Sequence, residues 1–260
     1  MFRKVVAYLP IKSVSSTIKH RLSTTQLHYE LYKEQQFQPN TKLFDELVNV
    51  ASSAYQHPYD TILNAVQESN RLYVLRDAAQ TGPILGCFLI QYDKEITLLD
   101  RHQKIPVIYH SFMIVNEKLK NTRLAIKLME YFASEVYKRK GRQPLLPLIL
   151  YYITATPAII YQTDKFIKMV PSVNNYDHTV FTDEEWHIAN ELRKLKNWPT
   201  VIKSTNVNPF VVKGIMKTRY STSEQMRNDK IAKKINYKIF QDLGIDETNG
   251  DRLLRFGFVG

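Results

Sequence analysis

The chain has 260 residues and carries 36 Lys+Arg against 25 Asp+Glu, a formal charge of +11. Its 44% hydrophobic and 23% charged residues exclude a disordered polyelectrolyte, and its length allows one domain, alone or with an appendage. The basic excess favours phosphorylated or polyanionic partners without choosing among a phosphate-bearing cofactor, nucleic acid and an anionic membrane surface, and the single cysteine, Cys87, excludes an intrachain disulfide and a thiolate metal cluster.

The short apolar segment after Met1 is interrupted by Lys12, which is too soon for a secretory leader. The longest apolar run, Leu145–Ile153, is about half of the ~20 residues a spanning helix needs. A cytoplasmic protein without a transmembrane segment is therefore expected.

Polar residues dominate up to position 40, where Leu27–Tyr32 is the best local strand. Thr41–Tyr55 follows as a helix, with Phe44, Leu47, Val48, Ala51 and Tyr55 on one face at three- and four-residue spacing. A shorter helix begins at Pro58 and carries Ile62, Leu63 and Val66. Arg71–Arg76 and Pro83–Tyr92 read as an antiparallel hairpin around the turn signal Gln80-Thr81-Gly82. Cys87 lies within the second of these strands, as a buried and inert thiol.

Ile105–Val115 is apolar on both faces, as a central strand covered on both sides must be. Strict alternation puts Val107, Tyr109, Ser111, Met113 and Val115 on one face and Ile108, His110, Phe112 and Ile114 on the other. The basic loop Asn116–Arg123 leads into a helix with Ala125, Leu128, Met129, Phe132 and Val136 inward, closed by Lys138-Arg139-Lys140-Gly141. Leu145–Ile153 returns as a buried strand parallel to the first, and Thr156-Pro157-Ala158-Ile159-Ile160-Tyr161 begins a short helix. Strand, loop, long helix, strand and short helix, in that order, build a nucleotide-phosphate site at a helix N-terminus.

Beyond Pro171 the texture becomes helical. Thr182-Asp183-Glu184-Glu185 is a capping box opening a helix with Trp186, Ala189, Leu192 and Leu195 on one side. Ser221-Thr222-Ser223-Glu224 opens another, predicted to turn Met226, Ile231, Ile235, Ile239 and Leu243 inward and Arg227, Lys230, Lys233, Lys234 and Lys238 outward. Leu253–Val259 has the composition of a strand.

From about Leu27 to Val170 this order resembles the GNAT acyltransferase superfamily. The resemblance implies an α/β fold with a mixed central sheet flanked by helices, occupying residues 1–170 with 1–26 as an extension. A helical C-terminal extension over 171–260 is expected to pack on that core. It also implies transfer of an acyl group, most simply acetyl, from acyl-coenzyme A to an amine on a small molecule, peptide or protein, with no metal. In that family the central strand pairs with the pantetheine arm, which here falls on Met113, Ile114 and Val115. The loop Gln/Arg-x-x-Gly-x-Gly/Ala that holds the pyrophosphate aligns with Lys120, Asn121, Thr122, Arg123, Leu124 and Ala125, preceded by Lys118.

Arg123 stands where the family has glycine. A side chain there either crowds the pyrophosphate or swings aside to supply a charge-assisted contact. Thr156 replaces the usual asparagine, and Ala158-Ile159-Ile160-Tyr161 keeps the later motif, so Tyr161 is implied as the general acid that protonates the coenzyme thiolate. Tyr109 falls on the family's strand glutamate and is no base at neutral pH. His110, beside it, is the remaining base candidate, with deprotonation through water as the alternative.

The competing function is a scaffold that has lost catalysis and contacts nucleic acid or a protein. The Lys/Arg face of Arg227–Lys238 would follow phosphates, with Tyr220 and Tyr237 stacking on bases. Nucleic acid is the less favoured partner, and a carrier-protein acyl donor is a third alternative. Asp246–Asp251 lacks the oxygen-ligand spacing of a calcium loop and reads as a turn. The seven histidines form no zinc pair.

Overall fold

Strand β4 (Lys104–Val115) organises the molecule, because it is paired on both edges. A computed structural model describes residues 27–77, 82–100, 103–120, 123–139, 147–164, 167–203, 207–215, 220–235 and 238–259. The remaining strands are β1 (Leu27–Lys33), β2 (Arg71–Asp77), β3 (Ile84–Thr97), β5 (Leu148–Thr154), β6 (Met169–Val170), β7 (Val211–Val212) and β8 (Arg252–Val259). They form one sheet in the order β1-β2-β3-β4-β5-β8-β6, with β7 on β8. The pair β4/β5 is parallel and the other pairs are antiparallel. This is the mixed α/β architecture, with a central sheet between helices, that the order of elements predicts.

Helices α1 (Lys42–Ala51) and α2 (Pro58–Gln67) cover one face of the sheet. Thr41 caps α1 by accepting from Phe44 N at 3.1 Å, and Pro58 supplies the first residue of α2. Their buried residues, including Leu47, Ala51, Ile62 and Val66, meet Val74, Cys87, Phe112 and Ile114. Burial pushes the Cys87 thiol up to about 12, so it stays protonated and inert. Helix α3 (Leu124–Arg139) covers the opposite face, where Leu124, Leu128 and Phe132 meet Leu75, Leu85, Phe88 and Ile108. It approaches closely at Gly86, where a Cβ would stand 3.0 Å from Leu128 and 3.1 Å from the Ile114 carbonyl oxygen.

Strict alternation along β4 fails at one residue. Leu89 pairs with Phe112 but Ile90 pairs with His110, so Ser111 is an extra residue in β4 and the faces exchange across it. Ile105, Val107 and Tyr109 therefore share a face with Phe112 and Ile114. His110 lies with Ile108 and Met113 towards α3, not with Phe112 and Ile114 as the alternation predicts.

Helices α4 (Pro157–Thr163), α5 (Asp183–Leu195), α6 (Thr222–Ile235) and α7 (Ile239–Asp242) complete the molecule. The capping box at α5 is present, with Thr182 and Glu185 bonded reciprocally. Trp186, Ala189 and Leu192 are buried against Val107, Tyr109 and Ile149. Buried Arg193 donates to the carbonyls of Pro199, Pro209 and Val211, seating β7 beside β8. The strand expected at Leu253–Val259 is β8, and it lies inside the sheet between β5 and β6. Its Arg255 is fully buried and donates to Pro171 O and to the Tyr152 hydroxyl at 3.0 Å.

The last predicted helix is two helices, α6 and α7, with Lys238 outside both. Met226, expected inward, is 65% exposed, and Asn228 is buried instead. Asp246–Asp251 forms the predicted turn, with Asp246 accepting from Thr248 N at 2.9 Å and Gly250 at φ 86°. Among the described residues no helix is long and apolar enough to cross a membrane.

Candidate active site

Pairing between β4 and β5 ends at His110 and Tyr152. The bulge at Ser111 falls where the ladder to β5 ends, and the Ser111 hydroxyl donates to the Ala65 carbonyl of α2 at 3.2 Å. On the other side Thr154 accepts from Thr156 N at 2.9 Å and turns β5 into α4. Among the described residues, Ser111–Val115 form no ladder with β5, so one backbone edge of β4 borders the gap. The gap is a cleft of about 200 Å³. It is walled by Tyr55, His57, Asp60 and Asn64 from α1–α2, His110–Met113 from β4, Tyr152–Ala155 from β5, and Ile159, Tyr220 and Arg252.

His110 is 5% exposed, packed edge-on to Phe88 with ring centres 4.6 Å apart. Burial pushes its pKa down to about 4, so the imidazole is neutral at neutral pH. Its Nδ1 has no hydrogen-bond partner among the described residues.

Tyr220 arrives from the far end of the chain. Its backbone bridges Tyr55, its ring lies 5.3 Å from that of Tyr55, and its hydroxyl is 2.7 Å from Thr156 Oγ1. Ser221 fastens the segment, with N donating to Ala54 O at 2.8 Å and Oγ to Ser53 O at 3.0 Å. Burial pushes the Tyr220 phenol up to about 12, with Glu247 adding to the shift. This enclosed ring is not placed to stack on bases, and Tyr237 lies outside the described residues. Sequence reading gave Tyr220 no place in the cleft, because its neighbours there are more than a hundred positions away or on another strand end.

Met113, Ile114 and Val115 line up on β4, with Met113 on the cleft and all three paired to β3. Lys120 is 10% exposed and bound by two carboxylates, Glu117 and, at 2.5 Å, Glu224 of α6. Arg123 is exposed and has φ 65°, the left-handed backbone that glycine adopts at no steric cost. An arginine held there stores on the order of 1–3 kcal/mol of strain, so position 123 keeps a glycine-type backbone conformation without the glycine. Its carbonyl accepts from Lys127 N at 3.1 Å and opens α3. Leu124 is buried and Ala125 half-buried; Asn121, Thr122 and the Lys118 side chain lie outside the described residues.

Tyr161 is 41% exposed and does not line the cleft. Ile159 does, and two residues along a helix turn a side chain about 200° to the opposite side. The structure thus brings His110 and Met113 together and leaves Tyr161 outside. Tyr109 is also off the cleft, buried against Tyr151 with Lys196 Nζ 3.9 Å above its ring. Among the described residues no group of three His, Cys, Asp or Glu could hold a metal ion.

No family model matches the chain, and no curated protein matches it. Solved structures do. AtaT complexed with acetyl-methionyl-tRNAfMet is 12% identical with a TM-score of 0.36, over 56% of this chain and 88% of that one. The KacTA–DNA complex is 13% identical with a TM-score of 0.37, over 58% of this chain and 89% of that one. The IAA acetyltransferase from Bacillus cereus is 13% identical with a TM-score of 0.36, over 90% of this chain and 100% of that one.

Proposed function

We propose that the chain is an acyltransferase that moves an acyl group, most simply acetyl, from coenzyme A to a primary amine in the β4/β5 cleft. The observation that carries this reading is the parting of β4 and β5 after His110 and Tyr152, beside the edge of Ser111–Val115 that, among the described residues, forms no ladder with β5. That edge fits an extended amide-bearing arm, and the left-handed backbone of Arg123, at the entry to α3, supports a phosphate at that helix N-terminus. Lys120 does not fit a phosphate while Glu224 holds it.

A bound acyl-coenzyme A supplies an activated thioester. The chain's residues hold the acceptor and move protons. Neutral His110 faces the cleft without the positive charge that would repel a cation, and its Nδ1 can accept a hydrogen bond from the amine. As the amine nitrogen bonds to the acyl carbon and the carbon–sulfur bond breaks, the amine proton passes to His110 or to water. The Tyr220 hydroxyl donates a proton to sulfur, and its raised pKa keeps that proton in place until the thiolate forms. Calorimetry with acetyl-coenzyme A, followed by thiol release with a panel of amines, tests the reading. Absence of both binding and thiol release would overturn it.

A second reading is the same scaffold without catalysis. It is supported by the carboxylates already on Lys120 and by the exposed Lys230, Lys233 and Lys238. Salt-dependent anisotropy with labelled RNA and DNA tests it, since phosphate contacts give a steep salt slope.

A further inference from the structure

We infer that the cleft takes an amine that also bears a small anionic group, a carboxylate, and that Arg252 is the residue that recognises it. This rests on the acyltransferase reading and names its class of acceptor. Arg252 opens β8, lines the cleft and is only 4% exposed. Its Nη1 donates to Asp251 O at 2.7 Å. Its Nη2 stands 3.9 Å from Glu247 Oε1, beyond hydrogen-bond reach, and neither atom has a hydrogen-bond partner among the described residues.

A buried guanidinium is stable only when its donors are met, and an unmet charged donor is among the more unfavourable features a core can hold. The Glu247 carboxyl answers it weakly. It forms an ion pair with Arg252 at 3.9 Å, a distance that forbids a direct hydrogen bond. Asp60 on the same cleft is exposed, where solvent and salt screen it.

The anion on Arg252 is not the coenzyme's phosphate. Arg252 is paired with Val212 and shares its face of β8 with Leu254, both in the cluster turned away from α3, whereas the turn at Arg123 opens α3 on the other face. At about 200 Å³ the cleft is below the ~300–1,000 Å³ of drug-sized sites, so the acceptor is small. His110, which also lines the cleft and has an unmet Nδ1 among the described residues, suits the amine end.

The test is calorimetry on the full chain, with and without acetyl-coenzyme A, using β-alanine, propylamine and aminopropyl phosphate. We expect β-alanine to bind tighter than propylamine by about tenfold or more, the equivalent of one charge-assisted contact. Arg252→Met should remove that preference, and Arg252→Lys should restore part of it. Equal affinity for β-alanine and propylamine in the natural chain, or a preference that survives Arg252→Met, overturns the inference. Preference for aminopropyl phosphate over β-alanine also overturns the carboxylate assignment. Should Arg252→Met fail to fold, the comparison of probes on the natural chain decides alone. Arg252-dependent β-alanine binding without acetyl-coenzyme A binding sinks the acyltransferase reading and keeps this one. Acetylation of amines regardless of a carboxylate does the reverse.

Discussion

The Lys120 ammonium lies 2.5 Å from Glu224 Oε2, tying the turn before α3 to the first turn of α6. Glu224 is also held by Arg227 at 2.9 Å, and Ser221, three residues earlier, is anchored on Ser53 and Ala54. The start of α6 therefore spans from the proposed phosphate loop to the far wall of the cleft, and a carboxylate occupies the one described loop lysine.

A coenzyme phosphate must compete with that carboxylate. Glu224→Gln removes one of the two carboxylate charges on Lys120 with little change of shape and leaves it with Glu117 alone. Coenzyme A should bind more tightly by about tenfold, near the ~1.5 kcal/mol of one charge-assisted contact. Calorimetric affinities for the two proteins check this. Weaker binding in the variant would mean that Glu224 positions the loop for the phosphate.

Tyr220 and Tyr161 can be separated. Tyr220→Phe keeps the packing on Tyr55 and removes only the hydroxyl beside Thr156. A general acid acts in the transition state, so kcat should fall about 10²-fold while coenzyme affinity is retained. Tyr161→Phe, on the exposed side of α4, should leave kcat within about twofold. The reverse pattern would return the role to Tyr161.

His110 makes stability depend on pH. Its folded pKa of about 4 lies below the ordinary 6.5, so the unfolded chain takes up the proton first. Its contribution is full above pH 6.5 and is lost as pH falls towards 4, on the order of 3 kcal/mol in all. Urea midpoints across that interval should fall in the natural chain and fall less in His110→Gln. Parallel slopes would show that other groups set the acid limb.

Gly257 is where β6 crosses β8. A Cβ there would stand 2.5 Å from Ile167 Cγ2 and 2.8 Å from both Lys168 O and Met169 Sδ. One of these neighbours is backbone and cannot rotate away. Gly257→Ala should lower unfolding free energy by roughly 1–3 kcal/mol, read from urea denaturation. Because β8 pairs with β5, limited proteolysis of this variant should loosen residues on both sides of Pro171 together.

Much of the fold was legible because it is local. The three- and four-residue spacing of Phe44, Leu47 and Ala51, the box Thr182–Glu185 and the doubly apolar run before Val115 each record a face that must be buried. The candidate site was legible only where it lies on β4. His110 and Met113 line the cleft, but the face of His110 was misread, because the bulge at Ser111 comes from register against β3 and leaves no mark in β4 itself. Met226 was misread for a related reason: α6 buries Asn228 under contacts with α4 that helical periodicity cannot anticipate.

By itself the sequence determined that this is an α/β protein with a strand–helix–strand unit at its centre, a basic turn before the helix and a buried cysteine. Those properties depend on residues within a few turns or one strand of each other. Tertiary structure alone decided that Glu224 holds Lys120, that Tyr220 closes on Tyr55 and Thr156, and that Arg252 reaches the cleft with one nitrogen unmet. These pairs are distant in sequence, and they meet because β8 is inserted beside β5 and draws the segment before it across the gap between β4 and β5. Hydrophobic periodicity records which face of an element is buried, not which distant element buries it, so the chemistry of this cleft was set by pairing that only folding supplies.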